Sequence, residues 1–366
     1  MAPYYILCVV PVLLCMLENR GLIIKKGNKS KRIYGAGVTA FFVIFIALLS
    51  LRSMECGSDV KNYFIYFNRY SGMSFRELFR MNGVYDVEVG YRFLNNFFHL
   101  FSDNFQIYLA IVAVISVVPV LILYKRESRH SIFVISLFLW IAPFSLYFSG
   151  LRQIIAMAFG VFAYYFTKNR KPIPFILCIL LATTFHSSAF ILLLLYPIYH
   201  AKITKNWLYV VVPIMALIFV FNRAIFNRLL SFLSNTQFDR FTMSSTGAYG
   251  MIVLLVVFTA YILLITNGRE IILSEDEMGL RNILLLSTCL QFFAPLNPVA
   301  MRMNYYYLIF VPIAMDRLSI KRDARFAQLV KVGTITLTVF FFAVFVRNMY
   351  VGADILNIYP YVPFWK

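Results

Sequence analysis

The stretch "PFILCILLATTFHSSAFILLLLYPIY", Pro174–Tyr199, decides how this chain folds. "KNRK" (168–171) precedes it and "HAKITK" (200–205) follows it. Lys and Arg concentrate in cytoplasmic loops, so both flanks belong on one side of a membrane. The segment between them must therefore enter and return. It is too short for two spans of about 20 residues each. The spacing predicts two short helices, or a re-entrant hairpin, over 173–199, meeting near Thr183–Ser188 with His186 at the apex. Non-helical backbone at membrane depth is tolerated only where protein or water covers it.

The remainder of the chain agrees with a membrane setting. Of 366 residues, 61% are hydrophobic and only 14% charged, and the mean hydropathy is +0.76. A soluble domain is about a quarter charged. The composition therefore predicts an all-α polytopic membrane protein, a single integral membrane domain over 1–366. Apolar runs fall near 3–19, 33–51, 104–124, 131–148, 151–167, 173–185, 187–199, 206–222, 249–266, 281–297, 301–318 and 328–346. They give about 12 membrane segments, counting the short pair. Pro3–Leu17 reads as a retained first span, because no basic residue precedes it and no small-residue cleavage site follows.

The net charge of +18 would suggest nucleic acid in a soluble protein. Here the basic residues sit between apolar runs ("RGLIIKKGNKSKR", "KRESRH", "KNRK", "HAKITK", "KRDARFAQLVK"), so they set topology and no nucleic-acid partner is expected. With this parity both termini lie outside. So do the long loop 52–103 and a second loop at about 223–248. "NGREIILSEDEMGLRN" (267–282) is an inner loop with several acids, which count little in the rule. Segments of the first outer loop such as "YRFLNNFFHLF" read as amphipathic helices at the surface. The five cysteines lie mostly in apolar runs and suggest neither disulfides nor a metal site. No metal or cofactor is expected, and no Walker loop, HExxH or GxSxG is present.

Three arginines fall at the outer face, where topology does not require them: Arg52 after the second span, Arg152 in "SGLRQ", and Arg302 in "VAMRMNYYY". Each either snorkels to lipid phosphates or joins the others around a shared anion. The guanidinium fork suits a phosphate or pyrophosphate, here one borne on a lipid. Gln153, beside Arg152, suits a sugar or phosphate oxygen. The acids at that face are Glu55, Asp59, Asp86, Glu88 and Asp103. Asp59 and Glu88 are candidate general bases or sugar partners, with solvated loop charge as the alternative. His186 is a third candidate base, or a packed histidine at a helix break. His99, His130 and His200 read as loop or interface residues.

Taken in order, these residues resemble the EpsG-type family of Wzy-like polysaccharide polymerases. The matching elements are Arg52 with Gly57, Asp59 and Tyr63; Glu88, Gly90 and Tyr91; Arg152 and Gln153; His186, Ser188 and Ala189; Arg302, Tyr305 and Tyr306; and Pro360 with Tyr361. The chain departs at Val89, where the family often has proline. The resemblance spans nearly the whole chain. It implies a GT-C-like architecture in a bacterial inner membrane, with the active face periplasmic. It also implies joining of undecaprenyl-pyrophosphate-linked oligosaccharide units, donor and acceptor, into O-antigen, capsule or exopolysaccharide. A chain-length regulator is an implied protein partner. Arg52, Arg152 and Arg302 would hold the pyrophosphate; Asp59, Glu88 and His186 would serve the acceptor hydroxyl; Gln153, Tyr91 and Tyr305 would contact substrate. The competing readings are a lipid-linked sugar flippase and a membrane O-acyltransferase or glycan ligase.

Overall fold

The computed structural model describes residues 2–19, 35–81, 87–140, 143–232, 249–266, 268, 271–296, 298–320, 323–352 and 356–366. Among these the chain is helical, with one isolated β-bridge, Arg52 to Pro363, and no strand. Asp86, the basic run 20–32 and residues 233–248 of the second expected outer loop lie outside the described residues.

The chain divides into two compact units, residues 1–190 with 335–366, and residues 191–334. The first contains α1 (Ala2–Asn19), α2 (Ala36–Leu51), α3 (Val60–Arg69), α4 (Phe75–Arg80), α5 (Val89–His99), α6 (Phe105–Glu127), α7 (Ser131–Trp140), α8 (Leu146–Ser149), α9 (Leu151–Lys168) and α10 (Pro172–Phe185). A 3-10 segment, Ser187–Leu194, leads into α11 (Leu195–His200). Then come α12 (Lys205–Val220), α13 (Asn222–Phe232), α14 (Tyr249–Ile265), α15 (Glu275–Gln291), α16 (Pro298–Leu308), α17 (Val311–Ile320) and α18 (Ala327–Val351).

Among the described residues two helices are long and apolar enough to cross a membrane, α6 and the segment Ala324–Val351. A third qualifies if the pair Asn206–Val220 and Asn222–Arg228, bent by 77°, forms one span. The other apolar runs form shorter helices, so length and composition identify fewer spans than the twelve expected. One reason is that several runs break internally. The run 131–148 is non-helical at 143–145, and the run 301–318 divides between Leu308 and Val311. Ile176, Leu177, Leu180 and Leu181 of α10, and Val332, Ile335 and Val339 of α18, are exposed. Apolar helix faces left open in this way suit lipid rather than water.

In the first unit, Asn104 caps α6 by accepting hydrogen bonds from the backbone N–H of Gln106 (2.8 Å) and Ile107 (3.3 Å). α6 packs against α2 and α9. A buried aromatic cluster fills this core: Phe41, Phe42 and Phe45 of α2 meet Phe138, and Phe45 continues to Phe144 and Tyr147. Such rings prefer edge-on or offset contacts, which fix orientation as well as burying area. Glu127 and Lys168 pair at 2.9 Å and join the C-terminal ends of α6 and α9.

The C-terminal segment straps this unit. Ser53 N–H donates to Val362 O (2.8 Å), Phe364 N–H to Leu51 O (2.9 Å) and Gly57 N–H to Asn357 O (3.0 Å). Tyr4 donates to Ile358 O (2.6 Å) and Tyr361 to Leu48 O (2.9 Å), which ties α1 and α2 to the same strap. Gly57 has φ +118°, and a Cβ there would overlap Phe148 O, so the turn requires glycine.

The second unit is organised on α15, which contacts α11, α14, α16 and α17. A Ser274–Glu277 capping box starts it. Its polar side chains are paired internally: Ser287 donates to Asn304 (2.9 Å), Asn304 donates to Gln291 (2.8 Å), and Thr259 meets Thr288 at 2.8 Å. Buried polar groups in apolar surroundings require such partners. Asp316 of α17 is also completely buried, an acid inside an apolar run that the sequence gives no reason to expect.

Candidate functional site: a carboxylate held by an arginine and a histidine at three helix ends

α9 and α10 form a hairpin through the turn Asn169–Lys171, with Arg170 in the left-handed region (φ 55°). The first turn of α9 is thereby brought to the last turn of α10, which packs along it. Gly150 separates α8 from α9 and leaves Arg152 as the second residue of the new helix. α10 ends at Phe185, and His186 is extended (φ −154°, ψ 114°) before the 3-10 segment begins. The expected break in 173–199 thus falls at His186.

α5 approaches this pair from the loop 52–103. A Cβ on Gly90 would overlap Thr184 Oγ1 and lie 2.9 Å from Thr184 O. Glycine therefore lets the start of α5 sit against the end of α10. Glu88, the residue before α5, does not cap its own helix. Its carboxylate reaches across instead: Oε2 accepts from Arg152 Nη1, Oε1 accepts from the Ser187 backbone N–H (3.0 Å), and Oε1 lies 3.3 Å from His186 Nδ1. The side chains of Glu88, Arg152 and His186 retain 18%, 25% and 14% of their exposure, so the cluster is sheltered yet open at one side.

Burial by itself would raise the Glu88 pKa. The adjacent His186 imidazole, the Arg152 charge and the Ser187 N–H outweigh it and hold the carboxyl down at about 2. Glu88 is therefore ionised at any physiological pH. Tyr63 of α3 lies beside Arg152, and burial raises its pKa, so it remains a neutral phenol. A guanidinium, an imidazole and a backbone N–H converging on two carboxylate oxygens form an anion-binding donor set. The positive end of the α9 dipole adds to it.

The other expected site residues are distributed differently. Asp59 precedes α3, with its N–H donating to Ser149 Oγ (3.2 Å). Tyr91 is fully buried against Tyr63 (5.6 Å between ring centres), and Gln153 is buried on α9. Arg52 is 1% exposed, donates to Leu49 O and lies 5.9 Å from the Phe148 ring centre, with no partner shared with the cluster. Arg302, exposed, and Tyr305, half-buried, sit on α16 in the second unit. Among the described residues no group of three or more His, Cys, Asp and Glu is placed to hold a metal. The Ser187 N–H is a site donor that side-chain reading misses; its only signal is the helix break itself.

Gly90→Ala tests this construction. The added methyl must push α5 from α10 and pull Glu88 off Arg152 and His186. The purified protein is expected to lose roughly 1–3 kcal/mol of stability, read by thermal unfolding in detergent. Gly333→Ala, inside α18 where a Cβ meets nothing within 4 Å and the backbone is helical, is the matched control.

The EpsG family matches residues 37–362, so the match includes every element of this cluster. No characterised protein and no solved structure matches the chain significantly. With its apolar helices and this near-complete match, the chain belongs to the EpsG family, a membrane family of the Wzy-like polysaccharide polymerase type.

Proposed function

We propose that this protein is a glycosyltransferase that joins oligosaccharide repeat units carried on undecaprenyl pyrophosphate into O-antigen or a related surface polysaccharide. It works on the periplasmic face of the bacterial inner membrane. The observation that carries the reading is the convergence of Arg152, His186 and the Ser187 N–H on the Glu88 carboxylate, within a family associated with such polymers.

The donor's C1–O bond to pyrophosphate breaks, and the acceptor hydroxyl oxygen bonds to C1. Undecaprenyl pyrophosphate leaves with the electron pair. Arg152 and the α9 N-terminus stabilise the charge developing on it. The hydroxyl proton passes to Glu88. Glu88 is a weak base while it is paired. As pyrophosphate draws Arg152 and His186 to itself, the carboxylate loses the partners that depress its pKa and becomes a better proton acceptor. Donor binding and base activation are then one event, with the internal carboxylate serving as a place-holder for phosphate. Asp59 stays available to orient the acceptor. Arg52, donating to Leu49 O, holds the end of α2 from which the turn to Asp59 departs.

Deleting the gene and resolving surface glycan on gels tests the reading. The expected result is single repeat units with no ladder, restored by the wild-type gene. Loss of all surface sugar would point to a flippase, and an intact ladder would remove the polymerase assignment.

A further inference from the structure

The first unit holds a second polar feature, separate from the Glu88 cluster. A cavity of about 360 Å³ opens between the turn after α2 and the C-terminal strap, lined by Glu55, Gly57, Ser58, Lys61, Asn357 and Tyr359, among others. We propose that it is a saccharide subsite that takes one neutral sugar unit of the glycan. The choice of a glycan rests on the polymerase reading above.

The lining matches that chemistry. Lys61 supplies an ammonium, Glu55 a carboxylate 3.6 Å from it, Ser58 a hydroxyl and Asn357 an amide. Donors and acceptors of both signs suit the hydroxyl groups of a neutral ring rather than a phosphate. Tyr359 and Pro360 complete the lining, with the Tyr359 ring anchored against Tyr4 at 5.0 Å between ring centres. The volume lies at the low end of the ~300–1,000 Å³ of small-molecule sites.

The walls are also built in advance. Gly57 N–H donates to Asn357 O (3.0 Å) and Ser58 N–H to Leu356 O (2.9 Å), so turn and strap are fixed before any sugar arrives. Asn357 sits at φ 54°, a conformation asparagine tolerates better than most residues. Preorganised walls avoid the ordering cost of binding. The cavity is coupled to the anion site through one contact. Ser58 Oγ lies 2.8 Å from Ser149 Oγ, and Ser149 also accepts from Asp59 N–H. Ser149 ends α8, three residues before Arg152. A sugar held against Ser58 is thus tied through Ser149 to the helix start that carries the phosphate-binding arginine.

The test uses the purified full-length protein in lipid nanodiscs. The probe is the free oligosaccharide repeat unit, released by mild acid from the host's lipid-linked pool, so it carries neither lipid nor pyrophosphate. Binding is read by saturation-transfer NMR and titration. Lys61→Ala with Asn357→Gly, which keeps the left-handed backbone accessible, is expected to weaken oligosaccharide binding about tenfold, as expected for the loss of one or two hydrogen bonds. The same pair should leave inorganic pyrophosphate binding unchanged, whereas Arg152→Ala should do the reverse. If the double variant fails to accumulate, Lys61→Ala alone carries the comparison, because Lys61 is 67% exposed and makes little of the fold. No binding of the oligosaccharide at millimolar concentration, or equal binding by wild type and variant, overturns the subsite. Oligosaccharide binding through this cavity in a protein whose deletion leaves the glycan ladder intact would keep the subsite and discard the polymerase reading.

Discussion

Arg152→Ala is expected to abolish long polymer while the protein still inserts and accumulates. Arg152 holds Glu88 through Nη1, and its buried Nε has no hydrogen-bond partner among the described residues. An unpaired buried donor is costly, and a phosphate oxygen would satisfy it. Removing one donor that stabilises transition-state charge typically lowers turnover about 10²–10³-fold, enough to collapse a ladder to its first rungs. Arg152→Lys keeps the charge but loses the planar fork, so it should shorten chains rather than restore them. Arg52 supplies the contrast. It donates to Leu49 O and also leaves Nε and Nη2 without a hydrogen-bond partner among the described residues, but at 1% exposure these are closed to an entering phosphate, whereas the Arg152 side chain keeps 25%. Arg52→Ala should act mainly through stability, costing roughly 1–3 kcal/mol, and should lower membrane levels before activity per molecule. The measurement is glycan chain length at matched membrane amounts. A normal ladder from Arg152→Ala would remove Arg152 from the chemistry, and free replacement by lysine would mean that it only reaches for lipid headgroups.

The two arginines show what the sequence carries and what it lacks. Both follow an apolar run and precede polar residues, so spacing treats them alike. Their environments differ because α9 begins at Gly150 and leaves Arg152 at a helix end facing Glu88. Arg52 instead lies under the strap, where its own backbone pairs with Pro363. That pairing is backbone to backbone across more than 300 residues and leaves no mark in either segment alone. The break at His186 was legible, because two basic flanks enclosed too few residues for two spans. Glu88 and His186 could be named as candidates, but their union with Arg152 depends on the close approach at Gly90, a packing fact. The span count was the least legible. Hydropathy averages over the non-helical residues 143–145 and 309–310.

Glu88→Gln should separate two roles that the structure superimposes on one carboxylate. If Glu88 is both place-holder and base, the amide removes the negative charge that competes for Arg152 and His186. Inorganic pyrophosphate should then bind about tenfold tighter, about 1.4 kcal/mol, while polymer is lost. A purely structural counter-ion predicts the opposite for binding, since Arg152 would lose the partner that positions it. The pH dependence of stability supplies an independent reading. The Glu88 pKa is depressed from 4.5 to about 2. A carboxyl depressed on folding contributes stability that is fully present above its unfolded value and is lost as pH falls through its folded value. The wild type should therefore exceed Glu88→Gln in thermal stability above pH 4.5, and the gap should close as the pH falls from 4.5 towards 2. Both side chains of the pair keep some exposure, so the gap at neutral pH should be modest, on the order of 1–2 kcal/mol. A variant that binds pyrophosphate more weakly, or one that still makes a full ladder, would strip Glu88 of its place in the reaction. A stability gap independent of pH between 6 and 2 would show that the ion pair with Arg152 is not what holds the start of α5 in place.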